Sequence, residues 1–252
     1  MATKSKNLVR SDVINRQVTF TGNKRRAKHL LKALTRSVDN PKVSQAIQHV
    51  RNQVYLNARG YRSEDTGRIV ANCGVVGGEG VTTVTLLLMM SLAELKHSRI
   101  LYIDGAFDRE KFVTVKELFS LKKVPTMSSN GYFLQCYTAK NPGLCFMTSE
   151  VSLSPIKFFS DGEFESFVEE LKGSFDYILF DMPPLLNSSE TRLFVPYADV
   201  LYMTCIPGKT LVSDLERCKA LATECGRAFD GAVLNRQRLP IWARLWGRDF
   251  FV

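Results

Sequence analysis

The stretch Val70-Ala-Asn-Cys-Gly-Val-Val-Gly-Gly-Glu-Gly-Val-Thr-Thr83 decides how this chain is read. A β-branched run leads into it at Arg68–Val70, glycines gather at Gly74, Gly77, Gly78 and Gly80, and an apolar run leaves from Val84. Strand, glycine loop, hydroxyl pair and helix, in that order, let backbone N–H groups and a helix N-terminus face an anion. The stretch therefore reads as a phosphate-binding loop. Loops of this kind carry Lys directly after the last glycine and Ser or Thr next. Here Gly80 is followed by Val81 and then Thr82, so the loop brings no cation of its own.

Outward from the loop the pattern alternates. Val43–Arg59 reads as a helix, with Val43, Ile47, Val50 and Val54 at three- and four-residue spacing. Strands are expected at Ile69–Val75, Arg99–Ile103, Leu144–Thr148, Asp176–Phe180, Val200–Cys205 and Gly231–Leu234. Helices are expected at Thr82–Leu95, Val115–Leu121, Glu163–Lys172 and Leu211–Cys225, with Tyr132–Gly143 irregular. Short apolar strands separated by helices imply an α/β fold, a doubly wound and mostly parallel sheet with helices on both faces. Ligands of such sheets bind beyond the strand C-termini. The glycine loop falls there, and so do Asp104 and Asp181.

Those two acids are the second chemical signal. An apolar strand holding one carboxylate at its crest can present it to a magnesium-bound water. Tyr177-Ile-Leu-Phe-Asp181, followed by Met182-Pro-Pro184, supplies one, and Ile100-Leu-Tyr-Ile-Asp104 a second. A single Asp closing a strand is ordinarily a cap or turn residue. Two of them beside a glycine loop favour a nucleotide site. The three histidines are scattered and suggest no catalytic constellation.

Composition sets the outer limits. The chain has 252 residues, 45% of them hydrophobic, enough for one substantial core plus an arm. No apolar run approaches the ~20 residues of a bilayer span, and the N-terminus lacks the apolar core of a signal peptide. The six cysteines form no C-x-x-C pair and read as reduced, buried thiols of a cytosolic protein. The net charge is +9, and the first forty residues hold ten Lys/Arg against Asp12 and Asp39. Three parts follow: a basic, flexible arm over 1–40, an α/β domain over 41–236, and a basic, aromatic tail over 237–252 containing Trp242 and Trp246. Both ends could touch an anionic membrane, each basic residue contributing ~1 kcal/mol near the surface. Nucleic acid is the less favoured anion.

From Val43 to Arg236 the chain resembles the cytoplasmic domain of the bacterial tyrosine kinases (BY-kinases), P-loop proteins that regulate polysaccharide polymerisation and export. Gly77-Gly-Glu-Gly-Val-Thr-Thr83 parallels that family's P-G-E-G-K-S/T-T, and Ile100–Asp104 its Walker A′ strand. Phe175-Asp-Tyr-Ile-Leu-Phe-Asp-Met-Pro-Pro184 parallels its Walker B, F-D-Y-I-I-I-D-T-P-P. Ala198-Asp-Val-Leu-Tyr-Met203 with Pro207-Gly-Lys-Thr210, and Gly231-Ala-Val-Leu-Asn-Arg236, match two further blocks. The resemblance implies a P-loop NTPase-like fold binding ATP and Mg2+. Gly77, Gly78, Glu79, Gly80, Val81, Thr82 and Thr83 would form the phosphate cradle, and Asn235 would sit against the adenine edge. Thr82, Asp104 and Asp181 would hold the metal, and the two acids would carry any catalysis.

The departures matter as much. Val81 replaces the phosphate-binding lysine, and a charge-assisted hydrogen bond of roughly 1.5–3 kcal/mol goes with it, about 10- to 100-fold in nucleotide affinity. The family's D-x-D-x-R becomes Asp104-Gly-Ala-Phe-Asp108, so its second acid is Ala106 unless Asp108 has taken over. Of the oligomerisation pattern E-x-x-R-x-x-R, only Arg51 of Gln45-Ala-Ile-Gln-His-Val-Arg51 is kept, against a homo-oligomeric ring. The tail after Asn235 has no tyrosine to phosphorylate. The expectation is a degenerate member of the polysaccharide machinery, cytoplasmic and peripheral at the inner face of the plasma membrane. It would bind ATP and Mg2+ weakly or not at all and act on a membrane polysaccharide co-polymerase or chain-length regulator. The alternatives are a MinD/ParA-like positioning ATPase and a residually active autokinase.

Overall fold

The computed structural model describes residues 24–59, 66–95, 98–124, 134–141, 143–149, 155–160 and 162–236. Helices α1 (Lys24–Val38) and α2 (Pro41–Arg59) precede strand β1 (Arg68–Gly74), helix α3 (Val81–Leu92), strand β2 (Ile100–Asp104) and helix α4 (Arg109–Leu118). Strands β3 (Lys122–Lys123), β4 (Leu134–Thr138) and β5 (Leu144–Ser149) follow, then helices α5 (Pro155–Ser160) and α6 (Glu163–Ser174) and strand β6 (Tyr177–Asp181). Helix α7 (Ser189–Phe194), a 3-10 turn at Val195–Tyr197, strand β7 (Val200–Cys205), helix α8 (Val212–Glu224) and strand β8 (Gly231–Leu234) complete the order.

The eight strands form one sheet in the order β3-β4-β5-β2-β6-β1-β7-β8. All pairings from β5 through β8 are parallel, and only the β3–β4 and β4–β5 pairs at one edge are antiparallel. This is the α/β architecture that the strand–helix alternation implies. Every residue of β1, β2, β6 and β7 is buried, which is why these strands read as nearly continuous apolar runs. Alternation still sorts their side chains. Val70, Tyr102 and Leu179 enter a core under α1–α4, whereas Ile69, Leu101 and Ile178 enter one shared with α6, α7 and α8. The second core is rich in rings, with Phe180 and Phe194 centroids 4.2 Å apart.

Three elements depart from the sequence reading. The second half of the supposed arm is helix α1, and its Ala27, Leu34 and Val38 are completely buried against the first core. A narrow apolar stripe outweighs the dense cations of this stretch because long basic side chains reach water from the flanks. Residues 1–23 and the tail 237–252 lie outside the described residues. Helix α4 begins at Arg109 rather than Val115, because the Asp108 carboxylate accepts from the Lys111 N–H and caps it. Part of the stretch read as irregular is β4, where buried Gln135 donates to the carbonyls of Val124 and Cys136. Among the described residues no helix is long and apolar enough to cross a membrane.

Arg51 is spent within the chain. Its guanidinium donates to the Ser91 carbonyl at 3.3 Å and pairs with Glu94 at 3.4 Å, tying α2 to the end of α3. The packing of α1 is directly testable. Leu34→Ala should lower the unfolding free energy by roughly 2–5 kcal/mol in denaturant titrations, and an unchanged midpoint would mean that α1 does not belong to the core.

Candidate phosphate-binding site

Register builds the crest of the site. Parallel pairing sets Asn72 of β1 beside Asp181 of β6, and Asp181 beside Asp104 of β2. The loop leaves β1 next to them and runs through Gly77, Gly78 and Gly80, all at positive φ, into α3. Gly80 is the position that tolerates nothing else. It caps α3 at φ 88°, and a Cβ there would collide with the Asn235 amide.

Each expected loop residue has a definite place. The buried Glu79 carboxylate folds back to accept from the N–H groups of Val76 at 3.0 Å and Gly77 at 2.8 Å. This fixes the loop's shape while taking up two of its amides. The N–H groups of Val81, Thr82 and Thr83 belong to the first turn of a 12-residue helix, where no intrahelical acceptor exists. Thr82 and Thr83 line a cavity of about 310 Å³. Asn72 anchors this turn from below, donating to Thr85 Oγ1 at 3.0 Å while accepting from Thr204 at 2.8 Å. Asn235 donates to the Glu79 carbonyl at 2.7 Å and so closes the end of β8 over the loop. On its outer side the loop meets the segment after β6, through Leu185 N–H to the Gly74 carbonyl and Asn187 to the Val76 carbonyl.

The two acids converge as their positions suggest, but an ammonium lies between them. Lys111 Nζ is 2.7 Å from Asp104 Oδ1 and 2.7 Å from Asp181 Oδ2. Tyr102 donates its hydroxyl to the same Asp181 oxygen at 2.7 Å. Asp104 is held further by the N–H groups of Ala106 at 3.2 Å and Asp108 at 3.1 Å. All three charged groups are buried. Burial works against the Lys111 charge, but Asp181 and then Asp104 overcome it and hold the ammonium above the ordinary lysine range. Burial likewise pushes Asp104 up, with Lys111 opposing.

This arrangement changes the metal reading of Thr82, Asp104 and Asp181. Mg2+ needs oxygen ligands at about 2.0–2.1 Å in octahedral geometry, and a lysine head fills the space between the two acids that would provide them. With Lys111 in that place, the two acids do not fit a Mg2+ held directly between them. Nor does Asp108 supply the second acid, since it caps α4.

Two cations went unnoticed in the sequence. Lys111 sits in the third position of α4, and Lys209, in the turn after β7, brings its Nζ to 3.6 Å from where a Cβ on Gly78 would stand. The cavity is also lined by Lys32 and Arg36 of α1 and by Arg236, and among the described residues no carboxylate lines it. An anion is therefore the ligand that this surface suits.

Comparison with known proteins agrees with this fold. A tyrosine-protein kinase CpsD of Streptococcus pneumoniae serotype 4 is 25% identical over 188 residues, spanning 71% of this chain and 80% of that protein. The kinase domain of the Escherichia coli tyrosine kinase ETK superposes with a TM-score of 0.62 at 16% identity, covering 95% of this chain and 98% of that domain. The chain is thus similar in sequence to proteins named tyrosine-protein kinase and shares the fold of a tyrosine-kinase domain. Its fold is also that of the MinD cell division protein of Aquifex aeolicus, with a TM-score of 0.53 at 19% identity over 71% of this chain and 72% of MinD. No family model matches the chain.

Proposed function

We propose that this protein is a degenerate BY-kinase-like P-loop protein of polysaccharide biosynthesis and export, acting from the cytoplasmic face on a membrane polysaccharide co-polymerase. The observation that carries the reading is a glycine loop of the right shape whose lysine position is Val81, above two acids already bridged by Lys111. Such a crevice can hold a phosphate chain on backbone amides. It lacks the loop cation that stabilises charge as a phosphoryl group moves. Binding then survives in weakened form, and the protein regulates by its conformation and contacts more than by transfer.

In this reading Gly78, Gly80, Val81, Thr82 and Thr83 contribute N–H donors, Thr82 adds its hydroxyl, and Gly77 and Glu79 set the loop's shape. Asn235 stands where a base edge would lie and buttresses the loop meanwhile. The resemblance of the loop and strand motifs to the BY-kinases supports placing the partner at a membrane. The likeness to MinD is a likeness of fold, and no feature of the site favours a positioning ATPase over the first reading.

Two measurements test this. In calorimetry Val81→Lys should tighten ATP binding about 10- to 100-fold, the worth of one charge-assisted hydrogen bond. Unchanged affinity would mean that the loop does not face phosphate. In cells, loss of the protein should shift the length distribution of a surface polysaccharide, and an unaltered distribution would remove the proposed role.

A further inference from the structure

The Asp104–Lys111–Asp181 triad has no counterpart in the motifs by which the site was recognised, and its geometry is built rather than incidental. Asp108 accepts the Lys111 backbone N–H at 3.0 Å, fixing where the side chain starts. The turn before it wraps around Asp104, whose oxygens accept from Ala106 and Asp108, with Phe107 at φ 49°. A non-glycine residue in that region is strained, and here it lets the chain turn back so that α4 begins beside the two acids. The ammonium then arrives on the side of Asp104 that faces Asp181. Of its three donors, two are taken by carboxylates, and Lys111 also lines the cavity beside Thr82, Thr83 and Thr114.

We propose that Lys111 takes the place of the divalent metal in this crevice, so that the site binds no Mg2+ or Mn2+ and a phosphate-bearing ligand would meet an ammonium there instead. Only the assignment of that place to a metal rests on the functional reading above. The exclusion itself follows from occupancy and charge. A metal entering between Asp104 and Asp181 must expel a buried cation whose two acceptors it would then share. Among the described residues the cavity offers no carboxylate as a replacement ligand, and its other cationic groups, Lys32, Arg36 and Arg236, repel a metal. The cation is attached to the chain, so it cannot be diluted away or removed by a chelator.

The test uses Mn2+ alone on the full chain, with no nucleotide and no partner, so its outcome is independent of ATP binding and of the polysaccharide role. Electron paramagnetic resonance reads the loss of the free Mn2+ signal. The wild-type protein should bind no Mn2+ up to about 1 mM, whereas Lys111→Met should gain a site at least about tenfold tighter, abolished by adding Asp181→Asn. The melting temperature of Lys111→Met should also rise on adding Mg2+, while that of the wild type stays put. A wild-type Mn2+ site lost on Asp181→Asn would overturn the proposal, and so would a folded Lys111→Met that gains none. Should Lys111→Met fail to fold, Lys111→Gln takes its place in the same titration. A folded Lys111→Gln that gains no Mn2+ site refutes the proposal, and a gained site abolished by Asp181→Asn upholds it.

Discussion

Two carboxylates buried side by side at the crest of a sheet cannot both stay charged unless something positive joins them. At ~4 Å and an effective dielectric of ~20, two unit charges repel by about 4 kcal/mol. The β2–β6 register leaves Asp104 and Asp181 no way to separate, since they are paired neighbours in a sheet clamped on both faces. Lys111 resolves the conflict with two 2.7 Å contacts, and Tyr102 adds a third donor. The start of α4, the turn around Asp104 and the floor of the cavity all take their positions from this contact. Removing one member of a buried ion cluster costs about 3–5 kcal/mol, because the charges left behind are uncompensated.

The loop beside the triad is shaped by the same economy of partners. Glu79 satisfies two amides, Asn72 anchors the first turn of α3, and Asn235 closes over Gly80. Glu79 and Asn72 are polar groups drawn into the interior and answered by specific donors or acceptors, as burial requires, while Asn235 is half-buried. What remains open is the set of amides at the start of α3, facing a cavity edged with cations. Charge has thus moved away from the loop. It is absent at Val81 and present on α1, on α4 and after β8.

Much of this could be read from residue order. The sheet was legible because β1, β2, β6 and β7 are buried on both faces and so appear as unbroken apolar runs, two of which end in an acid. The loop was legible because Gly77, Gly78 and Gly80 adopt positive φ. Lys111 was not, because a lysine between Glu110 and Phe112 looks like a solvated helix position. Only the acid-rich start at Asp108-Arg-Glu110 hinted that the helix began early enough to carry it inward. Helix α1 was hidden by its charge, although Ala27, Leu34 and Val38 recur with helical spacing. Strand β4 was hidden by Gln135, a polar residue whose burial depends on carbonyls of neighbouring segments. In each case tertiary partners, invisible along the chain, decided the outcome.

The fold is shared with tyrosine-kinase domains, and the triad, like Val81, sets this chain apart from the motif it resembles. The most direct check of that separation is the Lys111 ammonium itself, observed by 15N-resolved NMR of lysine side chains. The account predicts a protected, slowly exchanging Lys111 NH3+ resonance at neutral pH, distinct from that of the buried Lys172 paired with Asp199, absent in Lys111→Met and shifted in Asp181→Asn. Finding that every lysine ammonium exchanges at the rate of a solvent-exposed side chain would contradict it.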